Sequence, residues 1–222
     1  MTATNVAIFP GSAVVVSDAA YSAGNVLIRR GEKFIAMPHL NAVVTFRGHV
    51  GTLDRLRRIL PNFETLDDLL ANGPRTIRRR LWWKTALPFY GAFEIILTGV
   101  DSHGRSFIRY LSSRRAPRFE WVAVDHYIFA PMPDMTILAD VTAKCGTDVD
   151  GAMVEMLQHQ RQVHFGIGGH ATITTVTSEG ISVRELCRWP DERWQLIKRE
   201  SLPSRTSKRS KQKISSIGDY RS

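Results

Sequence analysis

The sequence predicts an α+β fold in which two antiparallel sheets are covered by segregated helices. Three observations carry this. The first fifty residues read as short apolar strands and turns throughout. From residue 51 the hydrophobic period lengthens to that of helices, and after residue 93 β patterning returns. Strands and helices therefore come in blocks. Regular alternation of strand and helix is absent, which argues against a doubly wound parallel sheet.

The elements follow in order. Residues 4–9 alternate loosely as a first strand, Pro10-Gly11-Ser12 turns, and residues 13–18 return as a β-branched strand ending in Ser17-Asp18. Residues 20–25 carry Tyr21-Ser22-Ala23-Gly24, a loop signature. Residues 26–29 and 33–37 flank Arg30-Gly31-Glu32 and predict a hairpin, and residues 42–46 form the next strand. Leu53, Leu56, Ile59 and Leu60 then recur at helical spacing. A second helix opens at Leu66 with Asp67 and Asp68 in its first turn, where the helix dipole favours anions. Gly73-Pro74 predicts a break, with helix resuming over residues 77–87. Residues 93–100 and 106–111 read as a hairpin about Asp101-Ser102-His103-Gly104, followed by shorter strands over 119–124 and 127–130. Residues 149–162 form a helix with Ala152, Met153, Met156 and Leu157 inward and Gly151 as its weak point. Residues 171–177 and 181–186 close as a hairpin after the glycine-rich link 166–169.

Composition bounds the function. A chain of 222 residues with 43% hydrophobic content fits one globular domain, here expected over residues 1–200. No run of eighteen apolar residues exists, so no membrane partner is expected. The opening MTATNVAIFPGS lacks the pattern of a secretory signal, and the expected location is cytoplasmic. Cys145 and Cys187 lie far apart with no metal spacing and read as reduced buried thiols. The formal charge of +9 is unevenly distributed: from Lys198 onward there are eight Lys/Arg against Glu200 and Asp219. Residues 201–222 therefore read as a basic, disordered tail able to make weak nucleic-acid contacts.

The chemistry-bearing residues sit at strand starts and ends. Thr2 offers a hydroxyl, Asp18 a carboxylate, Lys33 an amine and Gly48 a tight turn. Val14-Val15-Val16-Ser17-Asp18-Ala19-Ala20-Tyr21-Ser22-Ala23-Gly24, Lys33-Phe34-Ile35, Phe46-Arg47-Gly48, the hairpin about Asp101 and Gly104, and Gly168-Gly169 before residues 171–176 together resemble the Ntn hydrolases. Within that superfamily the chain looks most like proteasome β-subunits and the bacterial proteasome-like protease subunit. The resemblance spans residues 2–190.

The resemblance implies a four-layer αββα sandwich and assembly into a homo-oligomer. It implies that loss of Met1 exposes Thr2 as nucleophile. Its α-amine, with an ordinary pKa near ~8, would take the hydroxyl proton. Lys33 would lower the pKa of that amine and orient the hydroxyl, Asp18 would hold Lys33, and the Gly48 N–H would stabilise an oxyanion. The substrate would be a peptide or small amide, with no cofactor and no metal. The family carries an aspartate and a serine just before its late Gly-Gly, where this chain has His164-Phe165-Gly166-Ile167. It carries a Gly-Ser-Gly turn where this chain has Phe129-Ala130-Pro131-Met132-Pro133.

Two other readings stand beside the amidohydrolase: an assembly or binding module that keeps the fold without catalysis, and a nucleic-acid-associated protein using the basic tail. Arg78-Arg79-Arg80 with Trp82-Trp83 reads as a solvated helix face above two core tryptophans, or as a nucleic-acid patch. His159 and His164 are five apart, which is not one helix face, and no third ligand at metal spacing stands out.

Overall fold

The computed structural model describes residues 2–86, 91–205 and 212–214. The fold is α+β with antiparallel sheets. Strands β1 (Thr4–Phe9) and β2 (Ser12–Asp18) form the expected hairpin, with Thr4 opposite Ser17. β3 (Ala20–Ala23) and β4 (Val26–Arg30) pair as a small ribbon. β5 (Phe34–Met37) and β6 (Ala42–Arg47) precede helices α1 (Val50–Ile59) and α2 (Leu66–Ala86). β7 (Glu94–Val100), β8 (Ser106–Ser112), β9 (Val122–Val124) and β10 (Tyr127–Ala130) follow. Helices α3 (Met135–Cys145) and α4 (Val149–Val163) then lead to β11 (His170–Thr177) and β12 (Gly180–Arg188). Two short strands, β13 (Ser204–Arg205) and β14 (Gln212–Ile214), both pair with β12 and lie within the stretch read as a basic tail.

One sheet runs β10-β1-β2-β11-β12-β13, and the other runs β5-β6-β7-β8-β9. The period-2 alternation of each strand feeds two different cores. Val14 and Val16 of β2 pack with Leu138 and Val141 of α3 and with Met153, Met156 and Leu157 of α4. Ala13 and Val15 point the other way, onto Phe34, Val43 and Ile96 of the second sheet. On that sheet Val44, Phe46, Ile95 and Leu97 face Leu53 and Leu56 of α1 and Leu69, Ile77 and Leu81 of α2. Each sheet thus carries a helix pair on one face and meets the other sheet on its second face.

Several local expectations are corrected. Residues 20–23 are a strand rather than a loop, because Ala20 buries against Leu27 and Ile197. The 26–29 and 33–37 segments do not form a hairpin: β4 pairs with β3, and β5 pairs with β6. Helix α2 runs unbroken through Gly73-Pro74, since Leu69, Ile77 and Leu81, all fully buried, hold both halves on one face. Gly73 lets Leu69 approach: a Cβ there would lie 3.0 Å from a Leu69 methyl. Helix α3 is absent from the sequence reading; Asp134 caps it by accepting the Ile137 N–H at 2.9 Å. Gly151 is no weak point, because a Cβ there would collide with the Asp148 carboxylate that caps α4. The strand expected over 119–124 shortens to β9. Trp82 is 58% exposed, not a core residue.

Candidate active site at the end of the two sheets

The four site residues predicted from sequence converge on one end of the molecule. Asp18 ends β2 and lies opposite Ala171 at the start of β11. Lys33 immediately precedes β5, whose Phe34 lies opposite Thr45 of β6. Gly48 immediately follows β6, and Thr2 precedes β1. The sheets touch here: Thr4 Oγ1 lies 3.4 Å from Thr45 Oγ1, and Thr45 Oγ1 in turn donates to the Lys33 carbonyl at 3.3 Å. Thr2, Lys33 and Gly48 line one cleft of about 510 Å³, together with Tyr21, Arg47 and Glu94.

Asp18 and Lys33 form a buried ion pair. Lys33 Nζ donates to Asp18 Oδ1 at 2.9 Å and to Oδ2 at 3.0 Å. Asp18 is fully buried and Lys33 is 3% exposed. A charge so placed is tolerated only when it is paired and its remaining lone pairs are satisfied. Three backbone amides complete the carboxylate: Ala3 at 2.8 Å, Ala20 at 3.1 Å and Gly168 at 3.3 Å. Burial pulls the Lys33 ammonium below its ordinary value, and the Asp18 carboxylate opposes that pull.

The Ala3 amide also anchors the segment that leads into β1. Its nitrogen is bonded to the Thr2 carbonyl carbon, so the Thr2 backbone is anchored beside the carboxylate that holds Lys33. Gly48 lies at φ +148°, and a Cβ there would sit 2.7 Å from the Phe46 ring and 2.8 Å from Phe93 Cβ. Only glycine fits this turn. Arg47 turns to Glu94 at 2.6 Å, and Glu94 also accepts the Tyr110 hydroxyl at 2.7 Å.

Sequence reasoning missed three contributors. Tyr21 forms part of the wall, its ring 5.4 Å from Lys33 Nζ and 4.5 Å from the Arg29 guanidinium, with its hydroxyl donating to the Glu32 carbonyl. Burial raises the pKa of that hydroxyl. The other two are Arg161 and Asp191. They form a second buried, bidentate pair at 2.8 and 2.6 Å. Asp191 accepts the Gly169 N–H at 2.7 Å, and Arg161 donates to the Ile167 carbonyl at 2.7 Å. Consecutive amides of the Gly168-Gly169 loop thus rest on two different buried carboxylates, Asp18 and Asp191. A Cβ on Gly168 would collide with both Arg161 and Asp191. The sequence signal was weak: an arginine inside an amphipathic helix and an aspartate after Trp189-Pro190.

The stretch before this loop supplies neither a carboxylate nor a hydroxyl. Its His164 is held below the ordinary imidazole value by burial first, then by His159, Arg47 and Arg199 nearby. Cys145 and Cys187 are buried, are not joined to each other by a disulfide, and do not line the cleft. Among the described residues no helix is long and apolar enough to cross a membrane. Comparison with family models and with curated proteins gives no match for this chain.

Proposed function

We propose that the protein is an N-terminal-threonine amidohydrolase with the four-layer αββα architecture of the Ntn hydrolases, acting on a peptide or small amide. The observation that carries this reading is the buried Asp18–Lys33 pair, whose Lys33 lines one cleft with Thr2 and Gly48. Burying two charges is costly, and a purely structural site is equally well served by apolar residues. A buried ammonium that lines the same cleft as Thr2 has a chemical use.

On a chain whose first residue is Thr2, the free α-amine takes the proton of the Thr2 hydroxyl as Oγ1 attacks the substrate carbonyl carbon. The carbonyl π pair moves to oxygen, and the Gly48 N–H donates to the resulting oxyanion. Collapse breaks the C–N bond, and the leaving amine takes the proton from the Thr2 ammonium. Water then hydrolyses the ester, returning Thr2 and releasing a carboxylic acid. Lys33 stabilises the neutral form of the amine and the developing alkoxide, and Asp18 keeps Lys33 in place. In keeping with the resemblance, the proposed assembly is a homo-oligomer, which light scattering after size exclusion tests.

The stretch His164-Phe165-Gly166-Ile167 favours a second reading: a non-catalytic assembly or binding module with the same fold. Two measurements separate them. Intact mass establishes whether Met1 is removed; a retained Met1 eliminates the amine mechanism. A peptide epoxyketone should then add one adduct to the wild type and none to Thr2→Ala or Lys33→Met. A mature Thr2 chain that takes no adduct leaves the module reading standing.

A further inference from the structure

A second surface, which shares no lining residue with the first cleft, has the chemistry of a polyanion site. Helices α1 and α2 enclose a cleft of about 540 Å³ lined by Arg55, Arg58 and Arg80, beside Asn62, Thr76 and Asp68, whose Oδ1 accepts from Asn72 Nδ2 at 2.8 Å. Arg55 lies over the Trp83 ring at 5.3 Å. The next face of α2 carries Arg75, Arg78, Arg79 and Trp82 at spacings of three and four, all exposed. From Leu69 to Ala86 the helix has no acidic residue. Among the described residues no carboxylate pairs with any of these six arginines, although Arg47, Arg57, Arg105, Arg161, Arg184 and Arg188 all have partners. Six guanidiniums set against the Asp68 carboxylate of the cleft leave an excess of positive charge, and its self-repulsion is relieved when an anion occupies the face.

The kind of anion follows from the rest of the face. Guanidinium is the cation suited to bidentate phosphate contacts. Trp82 provides a planar apolar surface at the end of the arginine row. Arginines tracking a backbone beside an exposed indole are the parts of a single-strand binding surface. A lipid bilayer fits less well: Leu69, Ile77 and Leu81, which form the apolar face of α2, are fully buried in the core, so the helix has no apolar stripe to insert. We infer that the α1–α2 face binds the phosphate backbone of single-stranded nucleic acid, with Trp82 stacking on a base.

The test uses the full chain and a fluorescein-labelled oligothymidylate of about 20 nucleotides, followed by anisotropy between about 50 and 200 mM NaCl. The wild type should bind with a steep salt dependence. R55Q/R58Q/R80Q should lower the log–log salt slope by about 2, since each lost phosphate contact on a single strand removes about 0.7. Trp82→Ala should weaken binding about tenfold with the slope unchanged. Melting temperatures report folding; if the triple variant fails to fold, the single reversal Arg58→Glu should still weaken binding at least fivefold. K208Q/R209Q/K211Q should leave most of the affinity in place. Absence of wild-type binding, or loss of all binding in that tail variant with none in the arginine variants, overturns the inference. So does full displacement by inorganic phosphate at constant ionic strength, which marks a small-anion site. Retention on phosphatidylserine vesicles without oligonucleotide binding overturns it in favour of lipid.

Discussion

Asp18 accepts hydrogen bonds from Lys33 and from three backbone amides, so its charge is matched by donors from four separate chain segments. That makes Lys33 costly to remove. Lys33→Met should destabilise by about 3–5 kcal/mol in urea unfolding, because it leaves a buried carboxylate without its counter-charge. The double variant Asp18→Asn/Lys33→Met should recover much of that loss, which a packing defect at Lys33 alone would not. His170 makes a second prediction. Burial is the main cause holding its pKa below the ordinary 6.5; Arg188 and Arg30 add to the shift, while Glu185 and Asp18 oppose it. Its Nδ1 is buried with no partner among the described residues. The unfolded chain therefore takes up this proton first as pH falls. The stability contributed by neutral His170 is fully present above pH 6.5 and is lost below it. Urea unfolding at pH 7.5 and 5.5 should give a smaller difference for His170→Gln than for the wild type.

At the scale of elements, α2 is informative because it violates a rule. Pro74 removes one helical N–H and presses on the Leu70 carbonyl, yet the helix continues from Leu66 to Ala86. The apolar row on its inner face decides the matter. Pro74→Ala should therefore stabilise the protein by about 1–2 kcal/mol once the added freedom of the unfolded chain is counted, read as a higher urea midpoint with an unchanged slope. The strands were more legible than the helices. β1, β2, β6, β7 and β11 were visible because β-branched runs end at clear turns. Helix α3 was not, since Leu138, Val141 and Cys145 form a short buried stripe beside the proline-rich 131–133 stretch. The pairing of β4 and β5 was misjudged because adjacent apolar runs look alike whether they pair or part between sheets.

At the scale of the molecule, the Arg161–Asp191 pair ties three distant regions together. It holds α4, the Gly168-Gly169 loop and the segment after β12, where Arg161 also donates to the Lys198 carbonyl at 2.5 Å and Arg30 donates to the Asp191 carbonyl. Arg161→Met should cost about 3–5 kcal/mol in urea unfolding, because Asp191 stays buried and charged. The neutral double variant Arg161→Met/Asp191→Asn should regain stability, and its epoxyketone labelling rate would then report how far the loop supports Asp18.

The sequence by itself determined the α+β class and the order of blocks, because periodicity and turn chemistry are local, and its resemblance to the Ntn hydrolases singled out Thr2, Asp18, Lys33 and Gly48 as candidates. Only the tertiary structure decided that Asp18 and Lys33 form a closed ion pair, that Arg161 and Asp191 brace the neighbouring loop, and that Trp82 lies outside the core. Those outcomes depend on which distant groups share a low-dielectric space. Residues fifteen and thirty apart in the chain meet there because the sheets and helices around them pack in one way.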